Sequence, residues 1–476
     1  MLRNKLGSRA VNRINIRRRH VLPAVVLAGA SMIIFSIGAF GFPSVFPTGT
    51  TIYDPKNAYS SYVLFGAPDG KTHLIDMNGH EVHRWDKIGF PSEIINPAIN
   101  GGKKGQLLVQ LSHTDLPNYF GYMFANKSIG ELDWSGNTVW AWGDKAPGGV
   151  ARQNHDWDRR PNGNTIIIAT ADRIIPSLSP KSIADQVIYE ITPKGDIVWK
   201  WYAGDHVDEF GFSPEGMKLL RASLANGDKS FGFLTINDMQ PIGLNKWYDA
   251  GDKRFDPENI VIDSREASFV AIIDKKTGKI VWRMGPDYQI TKGPDLRASF
   301  KLNVPRQIDM TSGQHDAHII PEGLPGAGNL LLFDNESASG FPPTRIGTAN
   351  GSRVLEINPV TKQIVWQYTA TDSGGPLWIF DSSFISSARR LPNGNTLIDE
   401  GMNGRFFQVT SKGEIVWEYV NPYYGLQIMG EGHKVNTNWV FRAQPIPYDW
   451  VPDGTPHSEI PLAKIGITSF RVPGSP

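Results

Sequence analysis

The chain of 476 residues contains no cysteine. Disulfides, thiolate catalysis, cysteine-ligated metals, covalently attached c-type haem and lipid anchoring at cysteine are therefore excluded. A large excess of charge of one sign is also missing from the body. The formal net charge is +1, but seven Lys/Arg and no acid fall in residues 1–20, so the remainder carries −6. That leaves no basic stripe for nucleic acid. Long helical patterns are few, and only one long hydrophobic run occurs. It is Val21–Phe40, twenty residues without a charge, which follows Arg17-Arg18-Arg19. Its length suits a membrane-spanning helix, and the positive flank places the body outside the cytoplasm. A cleaved signal peptide is the competing reading, but no clear Ala-x-Ala site closes the run. Arg18-Arg19-His20 is a weak match to a twin-arginine signal.

What is present is repetition. Gly-x-x-Val-x-x-aromatic, usually with Trp after Val, recurs six times: Gly79–Trp85, Gly136–Trp142, Gly195–Trp201, Gly278–Met284, Lys362–Tyr368 and Gly413–Tyr419. The first copy lacks the Trp after Val82, the fourth ends in Met and the fifth starts with Lys. Gly suits the tight turn, and β-branched residues with Trp favour a strand. Alternation is expected to send Val and the last aromatic to one face.

A second element alternates with the first. It is an Asn/Gly turn before an apolar strand, at Asn100-Gly101-Gly102, Asn162-Gly163-Asn164, Asn226-Gly227-Asp228, Gly328-Asn329, Asn393-Gly394-Asn395 and Asn436-Thr437-Asn438. Asn and Gly accept the positive backbone angles of hairpin turns. Six copies of one four-stranded unit indicate an all-β, six-bladed β-propeller. Because the series begins with a Trp strand and ends with an Asn turn, N- and C-terminal strands are expected to complete one shared blade. A pair of β-sandwiches is the alternative, but sandwiches do not repeat one motif six times. The organisation reads as a basic cytoplasmic arm (1–20), a transmembrane signal anchor (21–41), an extended leader (42–58) and the propeller (59–476).

Successive Val positions of the Trp strands are 57, 59, 83, 84 and 51 residues apart. The two long intervals hold insertions, Tyr202–Ser268 and segments between Met284 and Gly351, of a length that suits lids or binding loops. The acidic stretch Asp249–Asp256 reads as a solvated loop, since its spacing matches no calcium loop.

Candidate chemistry precedes the turns. His155 and Ser386 each lie seven residues before their turn Asn, and His315 reaches the same phase if Glu322–Gly326 is an inserted loop. If this strand is innermost, these residues converge on the central channel, where imidazoles favour anion binding or proton transfer. His155 and His315 gain weight together; His318 taken alone reads as structural. The adjacent pairs His155-Asp156 and His315-Asp316 point to opposite faces of a strand and are not read as dyads. The histidines are too few to name a metal, and no metal or cofactor is assigned.

The segments NHDWDRRPNGNT, GQHDAHII with LLLFDN, NGNTLIDEGMNGRFF and the closing VFRAQP resemble the bacterial aryl-sulfate sulfotransferases, the arylsulfotransferase family of periplasmic six-bladed propellers. The resemblance covers most of residues 60–445. It implies transfer of a sulfuryl group from a phenolic sulfate ester to another phenol through a transiently sulfated histidine. His155 and His315 match two of the family's supporting histidines. Arg405 stands where the family's nucleophilic histidine is expected, and Ser339 where its anion-binding arginine is expected. Arginine stays protonated and cannot carry the sulfuryl group. His315 or His155 then becomes the candidate nucleophile, with Arg405 as oxyanion clamp and His318, Arg390, Arg353 and Ser386 as candidate substrate contacts.

The partners implied are an aryl sulfate or another small anion, the membrane through the N-terminal helix, and no nucleic acid. Two other functions remain open. One is a non-catalytic propeller subunit of a membrane complex. The other is a hydrolase or lyase on an anionic substrate, using Asp156, Asp316 and Glu400 as acid/base groups.

Overall fold

The computed structural model describes residues 46–113, 126–227, 232–286, 311–337, 339–341, 351–428 and 434–464. The basic arm and the expected membrane helix lie outside the described residues, as does most of the second insertion. No helix among the described residues is long and apolar enough to cross a membrane.

Six antiparallel sheets of four or five strands follow one another along the chain as blades I to VI. Their first strands are Ala443–Ile446 (I), Glu93–Ile94 (II), Gln153–Arg159 (III), Ile236–Pro241 (IV), His315–Ile319 (V) and Ser387–Arg390 (VI). First strands of neighbouring blades touch one another and surround the axis. The last strands carry the Trp motif: Glu81–Trp85, Thr138–Trp142, Ile197–Tyr202, Ile280–Met284, Gln363–Tyr368 and Ile415–Val420. In blade I the chain's late segment Ala443–Ile446 pairs antiparallel with Tyr62–Gly66. The leader contributes Gly49–Tyr53 as a fifth strand on Ile415–Val420 of blade VI.

The central strands are apolar on both faces because each blade is packed between two others. Ile166 and Ile168 of blade III pack with Ile260, Ile262 and Phe269 of blade IV. The alternate residues Ile167 and Ala169 pack with Leu108 and Trp142 of blade II. Six apolar clusters fill the six blade interfaces in this way.

The Trp motif closes the same ring at the outer edge. Indole Nε1–H groups donate to carbonyls of the next blade: Trp85 to Asp133 (3.2 Å), Trp142 to Gly195 (3.0 Å), Trp201 to Gly278 (2.9 Å), Trp282 to Pro359 (2.8 Å), Trp366 to Ser411 (3.0 Å) and Trp417 to Met77 (2.7 Å). The repeat is thus an inter-blade staple. The expected facing of Val and the last aromatic is corrected. The two are three residues apart and take opposite faces, so Val139, Val198 and Val365 are exposed while Trp142, Trp201 and Tyr368 are buried. The motif's first position has a positive φ throughout. Lys362 adopts φ 56° where the other five copies have Gly at 75–86°.

Two of the six expected hairpin turns are also corrected. Asn226-Gly227 follows the helix Pro214–Leu224, and the connection between the first two strands of blade IV instead holds a short helix, Lys246–Asp249. Asn436-Thr437 belongs to a separate hairpin, Lys434–Thr437 paired with Gly425–Ile428.

Candidate functional site

The inner strands build two adjoining layers along the axis. The first is an ion cluster around Arg442, the residue before the inner strand of blade I. Its Nη1 donates to Asp156 Oδ1 of blade III (2.7 Å) and its Nη2 to Asp238 Oδ1 of blade IV (2.7 Å). Its Nε lies 3.1 Å from Asp316 Oδ1 of blade V. Arg389 of blade VI pairs with the same Asp316 oxygen. Carboxylate oxygens also bind the next blade's inner backbone: Asp156 Oδ2 accepts from Met239 N (3.0 Å), Asp316 Oδ2 from Ala388 N (3.0 Å) and, from the second strand of blade IV, Asp263 Oδ2 from Ala317 N (3.2 Å).

Burial opposes charge at Asp316, but Arg389 and Arg442 outweigh it and hold the carboxyl below the usual range. Burial drives Asp238, Asp263 and Asp399 well above that range. Asp399 is fully buried, and among the described residues neither of its oxygens has a hydrogen-bond partner. Burial also raises Glu93 to about 8 and Asp158 to about 6.

A second layer adjoins this cluster, where the buried His155 and His315 share a neighbour. Their ring centroids lie 5.9 and 6.4 Å from that of Phe441, the neighbour of Arg442. His155 has φ 58°, which breaks strand alternation. His155 and Asp156 therefore reach the consecutive residues Phe441 and Arg442 rather than opposite faces. His155 Nδ1 pairs with Asn154 Oδ1 at 2.7 Å. Asn154 Nδ2 donates to Arg152 O, which turns Oδ1 toward the ring and makes Nδ1 the protonated nitrogen.

In His315, Nδ1–H donates to Asn335 Oδ1 (2.7 Å) and Gly313 O (3.0 Å), and Nε2 accepts from the Ile385 N–H (3.1 Å). Burial, with His315, Arg442 and Arg265 adding repulsion, holds His155 well below the usual imidazole range. Burial and Arg265 bring His315 down to about 3. Both rings are neutral at physiological pH. The wall beside them is apolar: Ile88, Phe90, Ile385, Trp439 and Phe441 form a seventh cluster, with Phe384 and Met402 against it.

The remaining candidates are held by other partners, Ser386 on the same loop as Ile385. His318 points into the axis, its Nδ1 on Asp316 O (2.8 Å), and burial and Arg389 lower it to about 4. Ser386 Oγ donates to Ser382 Oγ (2.9 Å) and accepts from Gly401 N (3.0 Å). Arg390 pairs with Glu356 (2.6 Å), and Arg353 with Asp334 (2.8 Å) and Glu336 (3.1 Å). Arg405 starts the third strand of blade VI, where its Nε donates to Glu418 (2.8 Å) and its Nη1 to Glu400 (3.0 Å). Its guanidinium is engaged inside the blade rather than beside the histidines. Asp156, Asp316 and Glu400 are likewise held by arginines and backbone amides. Among the described residues no group of three or more potential ligands is arranged to hold a metal.

Sequence reasoning missed Arg442, Phe441, Asp238 and Arg265. The first two stand in VFRAQP, a segment singled out above without a role for its arginine.

A six-bladed propeller with two buried imidazoles against one phenylalanine describes the fold and the candidate site. The chain belongs to the arylsulfotransferase (ASST) family, whose profile matches residues 71–439. No curated protein matches the chain in sequence. Among solved structures it is similar to a Bacteroides caccae protein of unknown function, with 13% identity, 82% of this chain and 99% of that one covered, and a TM-score of 0.44. It is also similar to the quinohemoprotein alcohol dehydrogenase of Comamonas testosteroni, with 12% identity, 83% and 71% covered, and a TM-score of 0.36. A catalytically inactive virginiamycin B lyase from Staphylococcus aureus with quinupristin matches at 10% identity, 83% and 98% covered, TM-score 0.33. At these values none of the three bears on function.

Proposed function

We propose that the protein is an arylsulfotransferase that moves a sulfuryl group between phenols at the mouth of its channel, with His155 as the transferring group. The observation that carries this is the meeting of two neutral imidazoles with an aromatic wall, in a chain of this family. The wall suits an aryl ring, and a neutral imidazole offers a nitrogen lone pair to sulfur. In His155 the protonated Nδ1 places that lone pair on Nε2. In His315 the same lone pair accepts the Ile385 amide, so His315 serves to position the 382–385 loop.

The first step forms the Nε2–S bond as the aryl O–S bond breaks and the phenolate leaves. The acceptor phenol's oxygen then attacks sulfur, the N–S bond breaks, and the acceptor's proton is released to the departed phenolate or to solvent. We further propose that residues 21–41 anchor the chain in the inner membrane with the propeller on the periplasmic side, on the strength of their length and positive flank.

The test is incubation of the full chain with 4-nitrophenyl sulfate and a panel of phenols. Nitrophenol release should require an acceptor, and His155→Gln should lower turnover by ~10³-fold or more. Release that needs no acceptor, or undiminished turnover in His155→Gln, would overturn the assignment. Stoichiometric partners in a detergent extract that turns nothing over would favour the binding-subunit reading, which the arginine at position 405 supports.

A further inference from the structure

We infer that Arg265, on the loop after the second strand of blade IV, is the oxyanion-binding group of the channel mouth, holding sulfate-type oxygens beside His155 and His315. None of the arginines singled out from sequence can fill that place, because Arg353, Arg390 and Arg405 are each buried on carboxylates within or between blades V and VI. Arg265 is differently held. Among the described residues its Nη1 meets only the half-exposed carboxylate of its neighbour Glu266, and its Nη2 makes a long contact of 3.5 Å to Ser383 O. Its Nε is buried and among the described residues has no hydrogen-bond partner.

Its location is fixed by shared partners. Ser383 belongs to the same short loop whose Ile385 amide donates to His315 Nε2 and whose Phe384 borders the aromatic wall. Gln314, next to His315, donates to Ser264 O, next to Arg265. The backbone of the arginine is pinned by Arg265 N to Thr235 O at 3.0 Å. The guanidinium is therefore a fixed cation at the His315 end of the loop, and its field reaches both rings.

A buried N–H donor without a partner is costly unless a ligand satisfies it. A planar guanidinium fork beside an apolar wall matches an oxyanion attached to an apolar body. In sulfuryl transfer the negative charge spreads over three oxygens, where such a fixed cation stabilises it. The ligand's identity as an aryl sulfate rests on the proposed function above; the oxyanion site itself does not.

The test uses the full chain with inorganic sulfate as the binding probe, followed by calorimetry, and 4-nitrophenyl sulfate as the turnover probe. Arg265→Gln should weaken sulfate about 10- to 100-fold. Arg265→Lys should fall between, since it keeps the charge and loses the fork. Glu266→Gln should tighten binding, because it removes the competing carboxylate. In turnover, Arg265→Gln should lower kcat while leaving the KM for the acceptor phenol unchanged.

Sulfate binding that is absent in the native chain, or equal in native and Arg265→Gln protein, overturns the inference. Should Arg265→Gln fail to fold, Glu266→Gln and Arg265→Lys decide, and unchanged affinity in both overturns it. Sulfate binding that depends on Arg265 without any turnover would instead sink the transferase reading and leave the anion site standing. Normal turnover with an indifferent Arg265 would do the reverse.

Discussion

The outer edge and the axis of this propeller solve the same problem, joining each blade to the next, with opposite materials. At the edge, at least one indole donates to a backbone carbonyl of the next blade at each of the six junctions, and three junctions carry a second. At the axis, among the described residues, carboxylates bind the next blade's amides at three junctions, and their charge is met mainly by Arg442, with Arg389 on Asp316. A neutral staple can be repeated without penalty. A buried carboxylate cannot, since each uncompensated charge in a dry interior is expensive. The axis is irregular for that reason, and irregularity leaves room for a site.

Arg442→Met tests the contrast most severely. It leaves Asp156, Asp238 and Asp316 facing one another, and should lower stability by about 3–5 kcal/mol in urea unfolding. Next come the staples. Trp282→Phe and Trp417→Phe should each cost about 1–3 kcal/mol for the unpaired buried carbonyl and lost volume, and should cost about the same as each other. Unequal losses would break the claim that the edge is uniform.

Asp399→Asn should act in the opposite sense. Burial raises this carboxyl in the folded chain, so it stays neutral there while the unfolded chain ionises above about pH 4. That imbalance lowers native stability as pH rises. The Asn variant should therefore melt higher than the native protein at pH 7–8, with the difference vanishing below about pH 4. Lys362→Gly should stabilise by about 0.5–1 kcal/mol, because it relieves the one non-glycine residue at the positive-φ position of the repeat. Lys145→Ala, which removes an exposed pair with Asp196 at the outer surface, should stay within about 0.5 kcal/mol.

The edge was legible in advance because its signals are local. A positive-φ residue (glycine in five copies, Lys362 in the other), a β-branched residue and an indole within seven positions mark the last strand of every blade, whatever surrounds it. The turns were legible where the loop was short and failed at Asn226 and Asn436, where an insertion shifted the chain before the next strand began. His155 and His315 were singled out because equal phase in equal units means equal height, and both rings lie near Phe441. Arg405 was read by alignment as part of that site. Its environment, Glu418 on the neighbouring strand and Glu400 before it, could not be seen from position alone.

By itself the sequence determined the number of blades, the strand that ends each one and the two histidines that share a register, because repetition encodes these within single units. Only the tertiary structure decided which arginine faces the axis and which faces the mouth, since Arg442 and Arg265 take their roles from partners as many as 286 residues distant. Charge in a dry interior is governed by what lies within a few ångströms, and in a ring those neighbours come from other blades.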